Sequence, residues 1–441
     1  MPRQAIYDFS VKPGGKVAGR IQVPGDKSIS HRALIIGAIA EGVTHIKGFL
    51  ASSDCISTRS ALQAMGVKIE GDAASTDVTV HGVGSQGLRA PAAELDLGNA
   101  GTAMRILCGV LAGQPFTSTL TGDESLRRRP MRRIIEPLGA MGVQIDSQQG
   151  YAPLTIHGRS DLNPLRYELP VASAQVKSAL LLAGLHAGGY TWLREPGISR
   201  DHTERMLRAF GCPCLHADGW IGVQGDSPLR ATDVEVPGDL SSAAFFMVGA
   251  SMRRDSHLKV VRVGVNPTRS GIITLLRKMG ADIRISNERQ VGNEPIADVE
   301  IKSANLHGIH ITPDQVPLAI DEIPALMVAA GVARGDTVLE GAAELRVKES
   351  DRLQALADGL MALGVKVELW ADGMRVTGVD AFEGGEIDSR GDHRIAMAFA
   401  MAGIRANSPI RIRNCRNVET SFPEFSTMAR DAGLPLEIIE Q

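Results

Sequence analysis

Leu62-Gln-Ala-Met-Gly66-Val-Lys-Ile69 returns as Leu138-Gly-Ala-Met-Gly142-Val-Gln-Ile145, Leu207-Arg-Ala-Phe-Gly211, Leu276-Arg-Lys-Met-Gly280 and Leu360-Met-Ala-Leu-Gly364-Val-Lys-Val367. A weaker copy is Met428-Ala-Arg-Asp-Ala-Gly433-Leu-Pro-Leu436. The six glycines stand 76, 69, 69, 84 and 69 residues apart. Each phrase reads as the last turn of a helix, a glycine that caps it in the left-handed conformation, and a short strand. Between the phrases lies a second helix, with starts expected near Ser28, Gly101, Ala174, Ser241, Ile323 and Arg394. It is followed by a small-residue turn and a strand, as in Gly42-Val-Thr-His-Ile-Lys-Gly48 and Gly335-Asp-Thr-Val-Leu-Glu-Gly341. A unit with two helices and alternating strands, repeated six times, predicts an α/β fold, and its period is too long for a solenoid.

A second phrase divides the six units into halves. Val23-Pro24-Gly25-Asp26 recurs as Val236-Pro237-Gly238-Asp239, each followed by an apolar run. Residues 24–236 are expected to form one domain, and residues 1–23 with 237–441 the other. The hinge then lies near 20–24 and 236–239, where the chain crosses twice. Only the first copy continues with charge, as Lys27-Ser28-Ile-Ser-His31-Arg32. A helix opening on cations and hydroxyls suits a multiply charged anion.

The other polar clusters also fall at starts of the second helices. They are Gly98-Asn-Ala-Gly101-Thr102 with Arg105, Ser173-Ala174-Gln175, Asp239-Leu-Ser241, Asp321-Glu322 and Arg390-Gly-Asp392-His393-Arg394. Loops after the following strands add Arg127-Arg128-Arg129-Pro130, Ser199-Arg200-Asp201 and Arg346-Val-Lys348-Glu349-Ser-Asp-Arg352. Free N–H groups at helix starts reinforce such cations. Simpler roles compete: Ser28, Thr102, Ser173 and Ser241 fit helix N-caps. Arg127, Arg128, Arg132 and Arg133 read as a solvated face. His31, His202 and His393 match no metal-ligand spacing, so no metal site is expected.

Composition narrows the class. With 441 residues, 44% hydrophobic and 22% charged, the chain is expected to be soluble and larger than one ordinary core. A net charge of −3 and 4% aromatics argue against nucleic-acid or membrane-surface binding. Met1 to Gly19 reads as neither a signal nor a transit peptide, and no apolar stretch is long enough to span a bilayer. Five cysteines without a Cys-x-x-Cys pair fit a reducing cytoplasmic setting, and Cys212-Pro-Cys214 reads as buried surface. No Walker loop, Gly-x-Gly-x-x-Gly or Gly-x-Ser-x-Gly elbow is present, and no cofactor is expected.

Taken together, Pro24-Gly-Asp-Lys-Ser-Ile-Ser-His-Arg32, Leu97-Gly-Asn-Ala-Gly-Thr-Ala-Met-Arg105, Arg129-Pro-Met131, Ser173-Ala-Gln175, Asp321-Glu322, Leu345-Arg-Val-Lys-Glu-Ser-Asp-Arg352 and Asp392-His-Arg394 resemble 5-enolpyruvylshikimate-3-phosphate synthases, nearly end to end. The resemblance implies two domains of three βαβαββ units each and closure on substrate. It implies transfer of the enolpyruvyl group of phosphoenolpyruvate to the 5-hydroxyl of shikimate 3-phosphate, a step toward chorismate and the aromatic amino acids. Two anions must meet, and two unit charges 4 Å apart near a protein surface repel by about 4 kcal/mol.

By resemblance, Ser28, Arg32, Ser173, Ala174 and Arg200 contact shikimate 3-phosphate, with Gln175 between the substrates. Gly101, Arg129, Arg352 and Arg394 contact phosphoenolpyruvate. Lys27 and Lys348 touch or bridge both. Asp321 is the implied base at the attacking hydroxyl, Glu349 the donor and later acceptor of the methylene proton, and Lys27 shares the proton work. The segments around Ser173 and Lys348 look closer to the second bacterial class. The Lys found in many members is missing at Glu419-Thr420-Ser421-Phe422-Pro423. An alternative, UDP-N-acetylglucosamine enolpyruvyl transferase, uses a loop cysteine that Gly122–Pro130 lacks and an Asn where Ser28 stands. A non-catalytic polyanion-binding module would leave Asp321 and Glu349 without a purpose. The family is usually monomeric, and a monomer is expected.

Overall fold

The structure is a computed structural model and describes residues 7–440. The chain divides into two compact units, Gly25–Pro237 with Gln290–Glu294, and Met1–Pro24 with Gly238–Arg289 and Pro295–Gln441. The segment Gln290–Glu294, expected with the second half, groups with the first.

In the unit Gly25–Pro237, Leu95–Asp96, helix Gly101–Ala112, Thr117–Thr121, helix Arg132–Ala140, Gln144–Gln148 and Tyr151–His157 succeed one another, a βαβαββ order. The first two strands run parallel, and the last pairs antiparallel with both Thr117–Thr121 and Gln144–Gln148. The same pattern recurs over Arg166–Gln224 around helices Ala174–Gly184 and His202–Ala209. In the remaining sheet of this unit, the parallel edge strand Val234–Glu235 comes from the unit's far end and pairs with Glu41–Lys47.

In the other unit, one βαβαββ sequence is contiguous from His310–Ile311 to Gly373–Thr377. The other two borrow from the N-terminus. Ala18–Ile21 is the parallel edge strand beside His257–Gly264. Tyr7–Val11 lies between Ile410–Arg413 and Leu436–Glu440, antiparallel to both. Among the described residues there are six four-stranded sheets, so the sixfold count read from the glycines is the fold. All six glycines have φ between +81° and +103°, where a Cβ is strained.

The two helices of a unit differ because their sequences differ. Leu240–Met252 is buried at every residue, as expected of a helix apolar all round. Arg132–Ala140 buries only Ile134, Pro137 and Leu138, one stripe. The apolar helices form the centre of each unit. There Gly109 permits close contact, since a Cβ on it would lie 2.0 Å from the Ala179 carbonyl oxygen.

These inner helices begin at Lys27, Gly101, Ala174, Leu240, Ile323 and His393, each within one residue of expectation. Their caps are a partial correction. Ser173 does accept from the Val176 N–H. Asp26 and Asp239, however, cap the helices for which Ser28 and Ser241 were candidates, and the Gly101 helix has no side-chain cap. Their carboxylates reach back over the first turn, which frees both serine hydroxyls for other partners. Cys212 and Cys214 are buried as expected. No helix among the described residues is long and apolar enough to cross a membrane.

Candidate active site

In the unit Gly25–Pro237, hydrogen bonds connect most of the expected binding residues. Arg32 is buried. Its Nε donates to Thr203 Oγ1 at 2.7 Å, Nη2 to Ser178 Oγ at 2.8 Å and Nη1 to the Ser28 carbonyl at 2.9 Å. The Ser28 hydroxyl is 3.5 Å from Arg200 Nη1. Ser178 shares its helix with Gln175, whose Oε1 accepts from Arg105 at 2.8 Å while Nε2 donates to Thr102 at 2.9 Å. Arg105 and Thr102 belong to the helix opened by Gly101. A Cβ on Gly101 would lie 2.7 Å from Arg129 Nη1. Arg129 is held by Asn99, with Ser125 Oγ at 3.4 Å. Arg32, Gln175 and Arg129, spread between positions 32 and 175 of the sequence, are thus tied to the N-terminal ends of three inner helices.

Lys27 opens the first of these helices and pairs with Asp54, a buried carboxylate in the next helix. Sequence reading missed Asp54. It lies in an ordinary amphipathic helix, and only packing brings that helix beside Lys27. Arg127 and Arg128 are exposed, as expected of a solvated face, whereas Arg129 is buried. His31 is buried with Nδ1 2.8 Å from Thr58 Oγ1, and burial, then Lys27 and Arg32, push its pKa well down.

In the second unit, Arg352 is the centre of the expected catalytic group, only 1% exposed. Its Nε donates to Asp392 at 2.8 Å, Nη2 to Glu349 at 2.6 Å, and Nη1 to Asp321 at 3.3 Å. Arg394 donates to the Asp321 carbonyl at 3.0 Å and lies 3.7 Å from its carboxylate. Asp392 caps the helix bearing Arg394 and also accepts from Ser350. Three carboxylates engage all three nitrogens of one guanidinium. Lys348, half-buried, is pushed down to about 8 by burial, against the opposing pull of Asp321 and Glu344. Thr420, in the stretch without the expected lysine, donates to the Asn417 carbonyl at 2.7 Å.

The family model of EPSP synthase (3-phosphoshikimate 1-carboxyvinyltransferase) matches residues 11–428. The chain belongs to the EPSP synthase family. A 3-phosphoshikimate 1-carboxyvinyltransferase of Alkalilimnicola ehrlichii is 57% identical over 97% of this chain and 96% of its own. That of Methylococcus capsulatus is 56% identical over 98% of both chains. The solved EPSP synthase of Acinetobacter baumannii shares 51% identity and a TM-score of 0.87, covering 98% of this chain and all of its own. The enolpyruvyl transferase NikO of Streptomyces tendae, 17% identical with a TM-score of 0.80, shares the fold. For the EPSP synthase family, sequence reading had already singled out the helix starts. It did not single out Asp54, nor Asp392 as the partner of Arg352, because acidic residues at helix ends are common for capping alone.

Proposed function

We propose that this chain transfers the enolpyruvyl group of phosphoenolpyruvate to the 5-hydroxyl of shikimate 3-phosphate, releasing phosphate. The observation that carries the reading is the pairing of Asp321 and Glu349 with one buried arginine, Arg352, in a chain whose other helix-start clusters are rich in cations and hydroxyls. A site that only held anions would gain nothing from two carboxylates.

In this reading Arg32, Ser28, Ser173, Ala174, Arg200 and Gln175 hold shikimate 3-phosphate, and Gly101, Arg129, Arg352 and Arg394 hold phosphoenolpyruvate. Lys27 and Lys348 offset the charge of both substrates. Asp321 takes the proton of the 5-hydroxyl as its oxygen bonds to C2 of phosphoenolpyruvate, and Glu349 delivers a proton to the methylene carbon. Glu349 then removes a proton from that carbon as the C2–O bond to phosphate breaks, and the proton taken from the 5-hydroxyl leaves with the phosphate. Such acid–base assistance contributes about 10²–10⁴-fold, and holding both reactants in register about 7–11 kcal/mol in favourable cases. The protein acts as a cytoplasmic monomer without a cofactor, and glyphosate competes with phosphoenolpyruvate.

The test is phosphate release from phosphoenolpyruvate with shikimate 3-phosphate or UDP-N-acetylglucosamine as acceptor, and Asp321→Ala as control. Release with shikimate 3-phosphate alone, lost in the control, is the expected result. Release with the nucleotide sugar, or with neither, overturns the reading.

A further inference from the structure

Lys177 is the most completely buried lysine beside the expected shikimate 3-phosphate residues, its side chain 2% exposed. It pairs with Glu195 Oε2 at 2.7 Å and Glu204 Oε1 at 2.8 Å, both nearly fully buried. Burial alone would lower the lysine pKa, but Glu204 and then Glu195 more than offset it and the net direction is up. The lysine is therefore a fixed cation. A buried ion pair is weak evidence for stability, because desolvation opposes the attraction. Its geometry suggests another use.

The second oxygen of Glu195 accepts twice. Oε1 takes the backbone N–H of Ser173 at 3.2 Å and the hydroxyl of Ser199 at 2.5 Å. Ser173 caps the helix that carries Ala174 and Gln175, and Ser199 immediately precedes Arg200. One carboxylate thus joins two loops that are 26 residues apart, at 173 and 199. The neighbouring Thr203 and Ser178 are joined to each other and to Arg32.

We propose that Glu195 is a positioning residue that clamps the Ser173 loop to the Ser199–Arg200 loop, presetting the polar groups that receive shikimate 3-phosphate. This rests on the reading above that Ser173 and Arg200 bind that substrate. Lys177 holds Oε2 of the carboxylate, which keeps Oε1 turned to Ser173 and Ser199. A group placed about 1 Å wrong costs up to 10²-fold, so the clamp is expected to matter about tenfold or more.

The experiment measures both Michaelis constants and thermal melting for Glu195→Ala, Glu195→Gln and Ser199→Ala, with Arg200→Ala as reference. Glu195→Ala is expected to raise the KM for shikimate 3-phosphate about tenfold while changing that for phosphoenolpyruvate less than twofold. Glu195→Gln keeps an acceptor for Ser173 and Ser199 but loses the charge, and Ser199→Ala removes one tie, so both should give a smaller rise in the same constant. If Glu195→Ala does not fold, those two variants decide. Equal rises in both constants, or none, overturn the clamp. If Arg200→Ala also leaves shikimate 3-phosphate binding unchanged, it is the substrate assignment that has failed.

Discussion

Gly101 stands against the guanidinium of Arg129: a Cβ on it would lie 2.7 Å from Arg129 Nη1 and 3.0 Å from Arg105 Nη1. Both neighbours are ends of flexible side chains, so a methyl group is accommodated by moving them. A Gly101→Ala variant should therefore fold, yet its Arg129 must shift. Because that arginine is assigned to phosphoenolpyruvate, the KM for this substrate rises and inhibition by the longer glyphosate weakens further, by about 10-fold or more. Inhibition constants measured on both proteins check this, and unchanged inhibition would show that the position does not govern it.

Arg352 is shared by Asp321, Glu349 and Asp392. Removing it leaves three partly or fully buried carboxylates without their common cation. Arg352→Ala should lower unfolding stability by about 3–5 kcal/mol, and Arg352→Lys should recover little, because an ammonium does not reproduce the fork. Denaturant unfolding of the two variants beside the parent measures it.

Asp321→Asn and Glu349→Gln keep acceptor oxygens for Arg352 but remove the carboxylates proposed to move protons. Each should lower kcat by about 10²–10⁴-fold while melting close to the parent. Parental turnover in either would remove that residue from the chemistry.

Lys348 has a folded-state pKa of about 8 against an ordinary value of 10.5. Between these values the unfolded chain binds more protons, so this group makes stability rise with pH across the window, and below pH 8 the half-buried ammonium destabilises in full. Activity runs the other way. In the proposed reading the substrates need the cation, so kcat/KM should fall as pH rises through about 8. Lys348→Arg, which keeps its charge, should move that alkaline limb upward. A limb at the same pH in this variant assigns it to another group.

Two glycines with open space around them separate backbone strain from packing. Gly211 has φ +86°, and Gly139 is helical without a positive φ. Gly211→Ala should destabilise by about 1–2 kcal/mol, whereas Gly139→Ala should stabilise by about 0.5–1 kcal/mol. Opposite shifts in the urea midpoint are the expected result.

Much of this was legible in the amino-acid order. A glycine after a helical leucine and an apolar run before a strand are local signals, and their spacing alone determined six α/β units. The starts of the inner helices were equally local, since a charged or small residue must precede each apolar run. What only the tertiary structure decided is which charges meet. Nothing near Lys27 points to Asp54, and nothing near Ser173 points to Glu195. Tyr7–Val11 pairs with strands that begin at positions 410 and 436, at the far end of the chain. Capping and periodicity act within a few residues, whereas burying a charge requires a partner that packing alone brings within about 3 Å.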